Sequence, residues 1–185
     1  MSSRAPSDVP RSGASALTEG FYRELHGLAV RAFAAERRSH TLQPTAVVNE
    51  ACLRMLTSSP LPDAERSERL ALAARVLQQV LVDHHRARST EKRGGAVLRL
   101  ELGPELDPEL APSAGATVDF EAVHGALARL RALHARQAEV VTLRIFGGLT
   151  VEQAAAALGV SKRTAEDDWA VARAWLRREL SGAWA

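Results

Sequence analysis

In the stretch VLQQVLVDHHRARS, Asp83, His84 and His85 are consecutive. A carboxylate and two imidazoles are donor types that hold a divalent cation and let it activate water against a phosphodiester. The spacing argues against that use. Successive residues on a helix point about 100° apart, so the two imidazoles would not share one metal, and the surrounding sequence lacks the further aspartate clusters of a dimetal site. No metal, cofactor or catalytic residue is expected, and the chain is not read as an enzyme. Cys52 is the one cysteine. It cannot form an internal disulfide, and on an apolar helical face it reads as a small buried hydrophobe rather than a reactive thiol.

A second chemistry is written in LTVEQAAAALGVSKRTAEDDWAVARAWLRREL, residues 149 to 180. Thr150 with Gln153 three positions later forms a capping box. Gly159 enters the left-handed conformation cheaply and ends that short helix. Ser161 caps the next one, so Lys162, Arg163 and Thr164 fall in its first turn. Ala154, Ala155, Leu158, Val160, Ala165 and Trp169 let the two helices pack at a steep angle. The pattern predicts a helix-turn-helix, whose second helix brings N-terminal side chains to base edges in a major groove while amides and basic groups meet phosphates. The alternative is an alanine-rich helical hairpin with no ligand.

The elements that must position these residues are helical throughout. Phe21, Leu25, Leu28 and Ala32 mark one amphipathic helix. Val47, Val48, Ala51, Cys52, Met55 and Leu56 mark a second behind Pro44 and Thr45. A third, from Arg66 to about Arg88, carries Leu70, Ala73, Leu77, Val80 and Leu81 and ends in RARSTEKRGG. Glycines, prolines and acids then gather in residues 94 to 118, which reads as a flexible acidic linker. Phe120, Val123, Leu127 and Leu130 open a second helical group, continued by VVTLRIF. The expected fold is all-α: a disordered N-terminal tail (1–16), a first helical domain (17–93), the linker (94–118) and a second domain with the helix-turn-helix (119–182). Twenty-four Lys+Arg against 22 Asp+Glu give a net charge of +2, so nucleic-acid binding must rest on local basic patches. There is no secretory apolar core at the start and no run of about 18 apolar residues. The chain is expected to be soluble and cytoplasmic, with no membrane partner.

Three segments in order, HTLQPTAVVNEACLRM, LVDHHRAR ahead of an Arg-Gly-Gly linker, and the helix-turn-helix followed by DWAVARAWLRREL, resemble bacterial sigma factors of the sigma-70 superfamily, extracytoplasmic-function class. The similarity runs from Leu17 to Leu180. It implies an alternative sigma factor that binds core RNA polymerase through its clamp coiled coil and directs promoter-specific initiation. The first domain would bind the clamp and melt the minus-ten element, and the second would read the minus-thirty-five element. Ser161, Lys162, Arg163 and Thr164 look like the minus-thirty-five readers. Glu166 and Asp167 stand where relatives often place basic groups; acids weaken phosphate contacts but accept from cytosine amino groups. They and Asp168 would otherwise point to solvent or pair with Arg163 or Arg173. Arg75, Gln79, His84, Arg86 and Arg88 fall at or near the family's contacts to the minus-ten strand. Relatives frequently carry Arg where Gln78 stands, which makes this surface less cationic. A rival reading, a one-component helix-turn-helix regulator independent of polymerase, leaves residues 17 to 93 without a task.

The resemblance also implies that Thr45, Asn49, Glu50 and Arg54 lie on the clamp-binding helix. Relatives typically bear several acids near its start, about where Thr45 and Ala46 stand here. Glu50 is retained, but most of that charge is missing. Phosphorylation of Thr45, with Thr41 as second candidate, would add about −1.5 to −2 charge at the helix opening, where amides and dipole favour anions. A serine/threonine kinase would then be the upstream partner. The alternative is that Thr45 serves only as a cap. The sequence leaves promoters, signal and any anti-sigma factor unspecified.

Overall fold

The computed structural model describes residues 18–32, 43–58, 65–91, 98–102, 110 and 116–183, with side chains at all of these except 31–32, 58 and 88–91. The described residues form an all-α fold with seven helices and one small ribbon. The first group is α1 (Glu19–Ala32), α2 (Pro44–Ser58) and α3 (Arg66–Glu91). The ribbon is β1 (Arg99–Glu101) and β2 (Thr117–Asp119). The second group is α4 (Phe120–Leu133), α5 (Ala135–Ile145), α6 (Val151–Leu158) and α7 (Lys162–Glu179).

Local chemistry sets the helix starts. Proline lacks the amide that a first helical position leaves unpaired, and α2 opens on Pro44 with the amides of Ala46 and Val47 reaching Gln43 O at 3.0 and 3.3 Å. Thr45 therefore lies inside the first turn and is not its cap. Thr18 caps α1, its hydroxyl accepting from Phe21 N at 3.2 Å, and Asp119 caps α4 through Glu121 N at 2.9 Å. At α6 the capping box is complete: Gln153 N donates to Thr150 Oγ1 at 3.2 Å and Thr150 N to Gln153 Oε1 at 2.9 Å. Gly159 ends α6 at φ 64°, ψ 31°. A Cβ in that left-handed region costs about 1–2 kcal/mol.

Phe21, Leu25, Val47, Val48, Ala51, Met55, Leu70, Ala73, Leu77, Val80 and Leu81 are buried in the first group, as their helical spacing predicts. Leu56 is not; it turns outward at 44% exposure, and Cys52 is only half-buried. Phe120, Val123, Leu127, Leu130, Trp169 and Leu176 are buried in the second group, where the Arg144 guanidinium lies 4.5 Å over the Trp169 ring. The buried residues of both groups form one cluster, because α3 packs on α5 and α6 as well as on α2.

Two features join the halves. The ends of the stretch expected to be a free linker pair with each other: Leu100 lies opposite Val118, flanked by Arg99 with Asp119 and Glu101 with Thr117. Leu98, Leu100 and Leu102 alternate on one face and are buried, and Phe120 N donates to Leu98 O at 2.8 Å. The interior of that stretch, apart from Leu110, and the N-terminal tail lie outside the described residues. The second feature is Gly147, where an added Cβ would fall 2.8 Å from Ala74 Cβ of α3, 2.6 Å from Leu143 O and 2.5 Å from Leu149 Cδ1. Gly147→Ala should cost about 1–3 kcal/mol through overpacking, lowering the thermal midpoint by several degrees; an unchanged melting curve would mean the turn yields without strain.

Candidate nucleic-acid interface

On α7, the first-turn residues do different things. Ser161 Oγ accepts from Thr164 N at 3.0 Å and lies 2.8 Å from Thr164 Oγ1, so both hydroxyls serve the cap. Lys162, Arg163, Glu166 and Asp167 are exposed. The Lys162 ammonium sits 2.5 Å from Glu152 of α6 and 3.5 Å from Glu166 one turn on. Its hydrogen bond holds the Glu152 carboxyl at about 2, and the two acids raise Lys162 above the usual ammonium range. Asp168 departs from the expectation of a solvent-facing side chain. It is buried and takes the Arg136 guanidinium of α5 at 2.5 and 3.3 Å. This carboxylate fixes α7 on α5 and is withdrawn from any surface.

On α3, Arg75 pairs with Glu139 of α5. Gln79 is exposed and donates to Asp83 Oδ1 at 2.9 Å. His84 is half-buried and Arg86 exposed, while the Arg88 side chain lies outside the described residues. Gln78 is buried, with its Oε1 3.4 Å from the Thr142 hydroxyl of α5. The DHH triplet is dispersed among structural partners: Asp83 takes Arg54 Nη1 at 2.6 Å, and His85 pairs with Glu121 of α4. The Arg54 hydrogen bond holds the Asp83 carboxyl below the usual carboxylate range. Among the described residues, no group of three or more His, Cys, Asp or Glu side chains lies together in a way that could hold a metal ion.

Among the described side chains of α2, Thr45, Ala46, Asn49, Leu53, Leu56 and Thr57 are the exposed ones, and none is charged. Leu53 is 59% exposed. Glu50 and Arg54 are half-buried and neutralise each other at 2.8 Å, while Arg54 also reaches Asp83. Two α1 residues back this face: His26 Nε2 lies 3.2 Å from Thr45 Oγ1, and the Tyr22 hydroxyl donates to Asn49 Oδ1 at 2.8 Å, with the Tyr22 and His26 rings stacked. Thr41 lies outside the described residues.

The family model described as ECF sigma factor matches residues 11–182, a span that contains all seven helices and both strands. The chain belongs to the ECF sigma factor family. ECF sigma factors are alternative sigma factors whose partners are core RNA polymerase and promoter DNA. No curated protein and no solved structure matches this chain. No helix of the described residues is long and apolar enough to cross a membrane.

In this sigma factor the residues that sequence reasoning missed are the partners: Glu152, Arg136, Glu139, Thr142, His26 and Tyr22. Each meets its site across a helix–helix contact rather than at a local spacing, so no motif announced it. Glu152 has a direct consequence. If Lys162 meets promoter phosphate, Glu152→Gln should remove its nearer carboxylate and leave only Glu166 at 3.5 Å, raising duplex affinity and steepening the slope of log affinity against log salt by up to about 0.9 for one added phosphate contact. An anisotropy titration over salt measures this, and an unchanged slope would remove Lys162 from the phosphate-contacting set.

Proposed function

We propose that this sigma factor meets the polymerase clamp through α2, the minus-ten strand through α3 and the minus-thirty-five duplex through α6 and α7 acting as a helix-turn-helix, and that phosphorylation of Thr45 completes the clamp face. The observation that carries the reading is the uncharged outer face of α2, with Thr45 exposed in its first turn and the nearby carboxylate of Glu50 already taken by Arg54. A clamp surface that is a basic coiled coil has no charged partner on such a face. A phosphate on Thr45 supplies about −1.5 to −2 charge and three acceptor oxygens at the point where the helix amides and dipole favour an anion. His26, 3.2 Å from the hydroxyl, can donate to the same group. A serine/threonine kinase is then the upstream partner. For the promoter contacts, Lys162 and Arg163 are the exposed first-turn cations of α7, and Arg75, Gln79, His84 and Arg86 are the strand-facing candidates on α3.

The test is transcription in vitro with core polymerase, comparing unmodified and Thr45-phosphorylated full-length chain. Initiation that depends on the phosphate supports the reading. Tight binding and full transcription by the unmodified chain rule the switch out. Co-purification with core polymerase separates the sigma reading from that of a regulator acting alone.

A further inference from the structure

Most polar groups around the first two turns of α7 are already used within the chain. Ser161 and Thr164 close the cap on each other. Lys162 lies between Glu152 of α6 and Glu166, Asp168 is buried on Arg136 of α5, and Ala165 and Trp169 belong to the core. Arg163 and Asp167 are what is left. Both are exposed, and among the described residues no hydrogen bond or ion pair holds either one. Four residues apart, they share one face of the helix, a single turn or about 6 Å from each other along its axis. Ala170 and Ala174 continue that face, exposed and with no atom beyond Cβ, so the helix can come close to another surface there.

A guanidinium and a carboxylate placed in this way do not make a phosphate-binding surface, because beside a phosphate the one attracts and the other repels. In a major groove their difference carries information. The guanidinium fork matches O6 and N7 of guanine, and a carboxylate accepts from the N4 amino group of cytosine. Opposite the O4 of thymine or the O6 and N7 of guanine the same carboxylate faces an acceptor and is repelled. Successive bases lie about 3.4 Å apart along the duplex, so one turn of α7 spans nearly two base pairs.

We propose that Asp167 is a specificity-determining residue of this sigma factor: with α7 in the groove, it selects a cytosine one or two base pairs from the guanine that Arg163 holds. This role rests on the reading of α7 as the helix that meets the minus-thirty-five duplex, and it names the sequence that helix takes. Glu166 is the weaker acceptor of the two neighbouring acids, its carboxylate being shared with Lys162 at 3.5 Å.

The test is selection from a pool of promoter duplexes randomised over the minus-thirty-five element, using the full-length chain with core polymerase in saturating excess, followed by fluorescence anisotropy on the selected duplex and its single-base-pair variants. The wild type should enrich a guanine that Arg163→Ala no longer enriches, with a cytosine within two base pairs of it. Asp167→Ala should lose the preference for that cytosine, its discrimination falling about tenfold. Asp167→Asn should move the preference at the same position to adenine, since a side-chain amide reads adenine N6 and N7; a residue that only supported the fold would change no base preference. A gain of affinity for every duplex alike in Asp167→Ala, with the preference intact, would mean that the carboxylate only repels phosphate and would overturn its role. A wild-type pool with the guanine but no cytosine within two base pairs overturns it as well. The reading beneath fails separately: Arg163→Ala selecting the same duplexes as the wild type would take this face of α7 out of the promoter interface altogether.

Discussion

Thr45→Ala should give a chain that folds normally, binds core polymerase no better than the unmodified wild type and no longer responds to kinase treatment. In the wild type, phosphorylation should strengthen core binding by about 10- to 100-fold. The figure follows from one or two charge-assisted hydrogen bonds at roughly 1.5–3 kcal/mol each, reduced because Thr45 is exposed and its ion pairs are screened by water and salt. The gain should shrink as salt rises. Folding should be unaffected, since the first turn of α2 is already held by Pro44 and by the amides of Ala46 and Val47 on Gln43 O. Thr45→Asp should recover only part of the effect, having less charge and fewer acceptors than a phosphate. Equal core affinity for phosphorylated and unmodified chains in a direct binding assay would leave Thr45 as an ordinary first-turn residue.

Arg163→Ala should weaken promoter duplex binding by about 1–3 kcal/mol, roughly 5- to 150-fold, if the guanidinium grips one base bidentately. Discrimination at that base pair should relax with it. Lys162→Ala should do less, because Glu152 and Glu166 already hold that ammonium. The ordering of the two variants is the sharper part of the expectation. Promoter binding by Arg163→Ala that matches wild type across a salt titration would take Arg163 out of the interface, and a larger loss for Lys162→Ala would reverse the roles.

What the sequence carried was local chemistry. The Thr150–Gln153 box, the left-handed Gly159 and the Ser161 cap are each decided by residues within four positions, and all three form as read. The apolar rows of α1, α2 and α3 were legible for the same reason, through helical period. Leu98, Leu100 and Leu102 alternate with the period of a strand and could have been read as one; the surrounding glycines and prolines hid them. The pairing of Arg136 with Asp168 spans 32 residues and that of Arg75 with Glu139 spans 64. No spacing rule reaches so far, and an exposed arginine looks the same in sequence whether it meets DNA or a carboxylate of its own chain. Gln78, where relatives frequently carry Arg, is in the structure a buried amide facing Thr142, so it adds nothing to the exposed face of α3.

The ribbon of β1 and β2 fixes how far the two helical groups can part. Two paired strands of three residues are marginal by themselves, so the ribbon holds through its buried face, Leu98, Leu100, Leu102 and Val118. While it holds, Leu102 and Ala116 are tied at one end of a closed loop, and the chain path from Glu91 to Leu98 has a contour of at most about 25 Å. The hairpin thus works as a clasp, taking the residues between its strands out of the path from one helical group to the other.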